Sequence, residues 1–229
     1  MIKVVRDAEP RVLRRNSTRW RDKLLRLRAD PHATKKQIKA AESKYNHHEI
    51  KAQLKTMFAD KCAYCEHKAC VGHYGEIEHF RPKAVYPEYT FTWSNLLFSC
   101  AICNNASHKA DHFPLDAAGN PLLIDPSAPT DDPSDHLEFR YDPVTRYALV
   151  YGIDDRGKSV EDVFDLNGRR GRKELLRHRS QYINQLRALI KVARTGDTDA
   201  LTLVHEACMP HAEYAAFARA LCQIYGIAQ

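Results

Sequence analysis

Residues 62–114 read CAYCEHKACVGHYGEIEHFRPKAVYPEYTFTWSNLLFSCAICNNASHKADHFP, and the rest of the chain is organised around this stretch. It holds two Cys-x-x-Cys pairs, Cys62 with Cys65 and Cys100 with Cys103, and 34 residues lie between Cys65 and Cys100. Each pair can place two thiolates on one side of a tight turn, and four thiolates in a tetrahedron form a closed, structural zinc site. The spacing therefore predicts a zinc ion held by four cysteines, with free or redox-active thiols as the alternative.

Three neighbours of the first pair could compete as zinc ligands, namely His67, Cys70 and His73. Cys70 has no partner at the spacing of a metal motif, and this favours the four-cysteine set.

Between the two pairs lies a second group of polar residues. Glu78 and His79 sit in an apolar run, Ile77 to Phe80, that is typical of a short strand. Asn95 precedes the second pair by five residues, and Asn104 follows Cys103 directly.

This order resembles the HNH endonucleases, also called ββα-metal nucleases, over about 50 residues. Their motif consists of an acidic residue and a His on a strand, an Asn in the connecting loop, and a His or Asn on a helix. A four-cysteine subclass holds the ends of that unit together with zinc, as the cysteines of this chain could.

The chemistry of phosphodiester hydrolysis explains these residue types, because it needs an activated water and a stabilised phosphate charge. A neutral imidazole accepts the proton of water near neutral pH, which makes His79 the candidate base. Glu78 and Asn104 are the candidate ligands of a catalytic Mg²⁺ or Mn²⁺ ion. The resemblance implies that Asn95 orients His79 or braces the loop.

The sequence departs from the HNH pattern at three positions. Glu78 stands where Asp is more common, Asn104 stands where the motif often ends on His, and Ser107 replaces a common Lys, with Lys109 following later. If Asn104 opens a helix, His108 lies on the same face at i+4 and becomes a candidate third metal ligand, with a solvated surface His as the alternative.

Several basic residues are candidates for contacts to phosphate. Arg81, Lys83 and Lys109 follow the motif residues, and a cluster of arginines opens a predicted C-terminal helix. Solvated charges are the alternative for Arg81, Lys83 and the arginine cluster, and a partner interface is a further alternative for the cluster. The cluster comprises Arg169, Arg170 and Arg172.

Composition limits the class of protein. The chain has 229 residues, 44% hydrophobic and 28% charged, which is typical of a globular fold. The net charge of +6 fits a nucleic-acid partner without establishing one. The sequence lacks a run of roughly 18 apolar residues and a secretory leader at Met1 to Arg6, and its seven cysteines suit a reducing compartment, so we expect a cytoplasmic protein.

Periodicity predicts helices in the first and last parts of the chain. Thr34 is the predicted N-cap of the second helix and Asn167 that of the long C-terminal helix, which Gly196 closes. The predicted helical ranges are 11–29, 34–58, 168–194, 199–208 and 212–225.

Strands are predicted over Leu122–Ile124 and, as a hairpin, over Leu137–Tyr141 and Tyr147–Tyr151, while Ile2–Arg6 reads as a strand or an extended arm. We therefore expect an α+β protein in which a small zinc-stapled ββα-metal unit is embedded between helical segments. The expected divisions are residues 1–58, 59–115 and 116–229.

Motifs across most of the chain resemble one HNH family, the PtuB effectors of Septu anti-phage systems, which are also found with some retrons. They are MIKVVR at the start, CAYCE, IEHFRPK, FTWSNLLFSC, HFPL, LLIDP, and the DLN that precedes the arginine cluster. The resemblance implies an ATPase partner of the ABC/SMC-like class, PtuA. We expect a metal-dependent endonuclease that cuts phage or host nucleic acid, with DNA favoured.

Two alternatives remain open from the sequence. One is an RNase on the same scaffold, because such a site grips a phosphate without reading a base. The other is a non-catalytic zinc module that binds nucleic acid or protein.

Overall fold

A computed structural model describes residues 1–69 and 75–228, and it confirms the α+β class. Within that part of the chain, seven α-helices accompany two two-stranded antiparallel sheets. The helices are α1 (Arg11–Ala29), α2 (Lys35–Glu42), α3 (His48–Met57), α4 (Asp155–Val163), α5 (Lys173–Ala193), α6 (Thr198–Cys208) and α7 (Ala215–Tyr225). The strands are β1 (Glu76–His79), β2 (Leu96–Ser99), β3 (Leu137–Tyr141) and β4 (Ala148–Gly152).

The second predicted helix is divided in two. Thr34 caps α2 as predicted, and its side chain forms a capping box with Gln37. A 3₁₀ turn over Ser43–Tyr45 then ends the helix, and the side chain of His47 accepts the backbone N–H of Glu49 to begin α3. The prediction of one helix over 34–58 was wrong because this local capping competes with a continued α-helix.

Strands β1 and β2 pair in a register that sets Glu78 opposite Leu97 and His79 opposite Leu96. The segment after β2 forms turns and bends over residues 101–111, so Asn104 does not open the helix that was considered there. The side chain of Asn105 accepts the backbone N–H of Ser107, and such local bonds offer the chain an alternative to a helix.

The C-terminal part confirms the hairpin of β3 and β4. Residues 122–124 do not form the predicted strand, although Leu123 and Ile124 are buried. Ile2–Arg6 is an extended arm in which Val4 donates to the Pro126 carbonyl at 2.8 Å. The helix predicted from residue 168 starts at Lys173, because the Asn167 side chain bonds the backbone of Val150 instead of capping it.

The main hydrophobic core includes residues from all three expected divisions, among them Leu24, Phe98 and Ile183. Tyr64 and Phe164 stack with ring centroids 3.9 Å apart, which joins the first cysteine loop to the end of α4. The three divisions remain a prediction. Among the described helices, none combines the length and apolarity of a membrane span.

Candidate metal centre and active site

Two loops bring the four cysteines together. Cys62 and Cys65 lie in the loop after α3, and Cys100 and Cys103 follow β2 directly. All four are buried, and their sulfur atoms lie within 4.8 Å of one another. The sulfurs of Cys65 and Cys100 are 3.9 Å apart, close to the edge of about 3.8 Å that a tetrahedron with Zn–S bonds of about 2.3 Å requires. The cluster therefore fits a structural zinc site.

Arg172 belongs to this centre rather than to the surface. Its side chain is buried, Nη1 lies 3.3 Å from the sulfur of Cys103, and the same atom donates to the Phe164 carbonyl at 2.6 Å. A guanidinium here offsets the negative charge of the thiolates. The prediction that Arg172 contacts phosphate is corrected by this burial.

None of the three alternative zinc ligands is seen in the four-cysteine cluster among the described residues. Nδ1 of His67 lies 2.6 Å from Oε1 of Glu213, so this ring is engaged outside the four cysteines. Cys70 and His73 lie outside the described residues.

His79 is held in one orientation inside the fold. Its side chain is buried, Nε2 lies 3.0 Å from the carbonyl oxygen of Thr90, and the ring meets that of Tyr45 edge to face at 4.5 Å. Because a carbonyl only accepts, Nε2 carries the proton and Nδ1 is left with a lone pair. Burial lowers the pKa of His79 to about 3, so the imidazole is neutral at neutral pH.

Asn95 braces the loop that supplies the Thr90 carbonyl. Its Oδ1 accepts the backbone N–H of Arg81 at 2.8 Å, and its Nδ2 donates to the carbonyls of Arg81 at 3.1 Å and Tyr89 at 3.2 Å. Three backbone bonds from one buried side chain fix the start and the end of this loop. Of the two roles expected for Asn95, the geometry supplies the bracing of the loop, which positions His79 indirectly.

Glu78 forms a buried ion pair with Lys109. The Lys109 ammonium also donates to the His79 carbonyl at 2.7 Å, and its side chain is fully buried. Burial raises the pKa of the Glu78 carboxyl, and the Lys109 charge opposes that rise. A buried ammonium cannot reach a phosphate in solvent, so the prediction that Lys109 contacts nucleic acid is corrected.

Asn104, a predicted metal ligand, contacts a carboxylate that the sequence reasoning did not include. Its Nδ2 lies 2.7 Å from Oε2 of Glu76, at a cleft that is also lined by Tyr45 and Lys51. Glu76 was missed by the sequence reasoning, although it precedes Glu78 by two residues and alternation puts both on one face of β1. His108 is not on a helix, and its Nδ1 lies 3.1 Å from Oδ1 of Asn105, so the i+4 argument for a third ligand fails.

Comparison with known proteins adds to this geometry. No protein-family model matches the chain. The sequence is 39% identical to the Septu protein PtuB of Bacillus mycoides strain KBAB4 over 169 residues, or 61% of this chain and 55% of that protein. The chain is homologous to PtuB. It is also 38% identical to the Septu protein PtuB of Bacillus thuringiensis over 120 residues, or 52% of this chain and 41% of that protein.

The chain spans about half the length of these PtuB relatives. Similarity to PtuB is therefore a property of the aligned part, and the activity of the whole relative does not pass to this chain without further argument.

The remaining basic candidates lie nearer the surface than Lys109 and Arg172. The Arg81 guanidinium lies 5.5 to 5.6 Å from the ring centroids of Tyr86, Tyr89 and Phe113, within cation–π range. Lys83 Nζ lies 3.8 Å from a carboxylate oxygen of Glu42. These contacts account for the two side chains without a phosphate.

Arg169 and Arg170 are exposed at the turn before α5. Arg169 lies 3.1 Å from a carboxylate oxygen of Glu161, and Arg170 lies 3.5 Å from one of Asp162. Both guanidinium groups are open to solvent, where such ion pairs are weak and exchange readily with other anions.

Proposed function

We propose that this protein is a metal-dependent endonuclease of the HNH type that acts in anti-phage defence. The homology to the Septu protein PtuB supports the defence role. The nuclease chemistry rests on His79, and DNA is the favoured substrate.

The single observation that carries the proposal is the contact between Nε2 of His79 and the Thr90 carbonyl. It leaves Nδ1 of a neutral imidazole as a fixed proton acceptor, which is what activation of a water for attack on phosphorus requires. A buried structural histidine would also pair its ring N–H, so the catalytic role rests on the Nδ1 acceptor that this contact leaves free.

Residues on and near β1 offer oxygen donors for a hard divalent cation. Glu76, Glu78 and Asn104 offer carboxylate and amide oxygens, which Mg²⁺ and Mn²⁺ prefer. When bound, such an ion would stabilise negative charge on the phosphate and on the leaving oxygen. In the structure Lys109 supplies the positive charge next to Glu78. We therefore propose that ligation by Glu78 accompanies movement of Lys109 away from that carboxylate.

One observation favours a second candidate, the non-catalytic zinc module. His79 and Glu78 are both about as buried as core residues, at 5% and 3% exposure, and Glu78 is already neutralised by Lys109. A scaffold that only binds nucleic acid or protein is compatible with that closed arrangement. An RNase remains the alternative within the nuclease class, because contacts to a scissile phosphate do not distinguish DNA from RNA.

The partner is proposed from the resemblance to PtuB effectors, which implies an ABC/SMC-like ATPase, PtuA. We propose that this ATPase controls access to the site and that both proteins act in the cytoplasm. Co-expression with a PtuA-type ATPase and size-exclusion chromatography test the partner. Separate elution at micromolar concentration would count against the ATPase partner and leave the nuclease proposal standing.

The function itself is tested on labelled DNA and RNA, with and without the neighbouring gene product. We expect cleavage that requires added Mg²⁺ or Mn²⁺ and stops when that ion is removed by dialysis, with the structural zinc retained throughout. Cleavage of RNA alone would select the RNase alternative. Tight nucleic-acid binding without cleavage under every condition would select the non-catalytic module.

A further inference from the structure

A second group of metal-binding side chains lies next to the four cysteines. His67 follows Cys65 by two residues, His178 lies on the first part of α5, and Glu213 lies just before α7. One nitrogen or oxygen atom from each of the three residues lies within 4.8 Å of the others. Three distant segments of the chain therefore bring two imidazoles and one carboxylate to the same place.

The donor atoms converge on a common point. The hydroxyl of Tyr214 lies 3.0 Å from Nδ1 of His178 and 3.3 Å from Nδ1 of His67. Nδ1 of His67 is also 2.6 Å from Oε1 of Glu213. The two ring nitrogens thus both lie within hydrogen-bond distance of the Tyr214 hydroxyl, and the Glu213 carboxylate contacts one of them, so a bound ion would displace that hydroxyl from between the rings.

Backbone contacts hold the arrangement in place. The Lys68 N–H donates to Oε1 of Glu213 at 2.8 Å, and the His67 carbonyl accepts the Cys62 N–H at 2.9 Å, which ties His67 to the zinc loop. Tyr214 is buried and adopts a left-handed φ of 52°, a conformation that is costly for a large side chain and that is often kept at functional sites.

The site is open to solvent. A cleft of about 340 Å³ is lined by His67, His178 and Tyr214, together with Ile102 from the second cysteine loop and Glu174 and Leu175 from α5. His178 is exposed, so an ion has a path to the donors without local unfolding.

We propose that His67, His178 and Glu213 form a second metal site, which binds a divalent transition-metal ion such as Zn²⁺ or Co²⁺. Two imidazole nitrogens and one carboxylate oxygen suit such ions, whereas Mg²⁺ prefers oxygen donors alone. Three protein ligands leave a coordination position for water or an external ligand on the side of the cleft, which is the pattern of reactive rather than closed sites.

The distances are compatible with a bound ion after small movements. Metal bonds of about 2.0 to 2.2 Å to nitrogen and oxygen give donor separations of roughly 3.4 Å in a tetrahedron. The 2.6 Å contact between His67 and Glu213 is shorter than this separation, so these two side chains would have to move apart to hold an ion. The inference is independent of the proposed nuclease activity, since it rests on donors other than those of β1.

The test uses tag-free protein that retains its zinc and is dialysed against Co²⁺ in excess Mg²⁺. Counting cobalt and zinc separately by mass spectrometry distinguishes the added ion from the resident one. His178→Ala removes an exposed ligand and is compared with His205→Ala, an exposed histidine on α6 outside the group. Glu213→Gln keeps the size of the side chain and serves as a second variant.

We expect His178→Ala and Glu213→Gln each to bind one cobalt fewer than the wild type, or to bind it at least about 100-fold more weakly, with zinc unchanged. The His205→Ala variant should match the wild type. Cobalt should also raise the melting temperature of the wild type and of His205→Ala but not of His178→Ala. Equal cobalt binding by His178→Ala and His205→Ala, or binding only by displacement of zinc, would overturn the proposal.

Discussion

Nε2 of His79 lies 3.0 Å from the carbonyl oxygen of Thr90, and this contact joins β1 to the loop that leads to β2. It fixes the tautomer of a buried, neutral imidazole. It also makes the reactivity of that imidazole depend on the loop, which Asn95 holds through three backbone bonds.

The burial of His79 predicts a pH-dependent stability. Its pKa falls from about 6.5 when unfolded to about 3 when folded, so below pH 6.5 the unfolded state binds the extra proton. His79 therefore lowers the free energy of unfolding as pH falls, and the loss is complete near pH 3. Between pH 7.5 and 5.0, urea unfolding should show that the wild type loses about 2 kcal/mol more than His79→Gln. Parallel losses in both proteins would contradict a neutral buried imidazole.

Replacing Asn95 with Ala should destabilise the fold by about 2 to 3 kcal/mol. The change removes three hydrogen bonds to the backbone and leaves buried groups unpaired, each worth about 1 kcal/mol. The neighbouring Ser94 is exposed, and Ser94→Ala is the matched control with an expected change within about 0.5 kcal/mol. Denaturant unfolding of the two variants measures the difference. Equal free energies of unfolding for Asn95→Ala and Ser94→Ala would contradict the proposal that Asn95 braces the loop.

Loss of one zinc ligand should unfold the cysteine centre. Cys100→Ser is expected to lose zinc and to become sensitive to proteolysis, because binding of a structural metal contributes to the free energy of folding. Cys222→Ser changes another buried cysteine, whose sulfur lies 3.4 Å from that of Cys208, and should keep one zinc per chain. Elemental analysis measures the zinc content of both variants. A wild-type protein that contains no zinc after purification without chelator would refute the four-cysteine site.

Removing the charge of Arg172 should weaken the cysteine centre rather than nucleic-acid binding. Arg172→Met leaves a thiolate and a buried carbonyl without their cationic partner, and breaking a buried charged pair costs about 3 to 5 kcal/mol. Arg169→Met alters a residue whose side chain is 71% exposed, and its stability should change by no more than about 0.5 kcal/mol. The melting temperature and zinc content of the two variants are compared. Equal effects of Arg172→Met and Arg169→Met would show that Arg172 does not stabilise the cysteine centre.

Spacing in the sequence predicted the features that are local. The cysteine pairs, the Thr34 cap and the β3–β4 hairpin follow from residues close together in the chain, and the structure confirms their geometry. The end of α2 and the start of α5 were predicted wrongly. The His47 side chain caps α3 and the Asn167 side chain bonds Val150, and hydrophobic periodicity reveals neither bond.

Contacts between distant segments were beyond the sequence reasoning. Lys109 reaches Glu78 across 31 positions and Glu213 reaches His67 across 146, and neither pair has a characteristic spacing. Burial decides the role of such residues. An exposed Lys109 could contact a phosphate, whereas the buried Lys109 pairs with Glu78.

The central claim, that His79 is the base of a nuclease, is tested most directly with His79→Gln. A glutamine amide keeps a donor for the Thr90 carbonyl and removes the Nδ1 acceptor. Cleavage, zinc content and nucleic-acid affinity are measured on this variant and on the wild type. We predict that cleavage falls by about 10² to 10⁴ while zinc and affinity are unchanged. Cleavage at the wild-type rate by a folded, zinc-loaded His79→Gln protein would contradict the account.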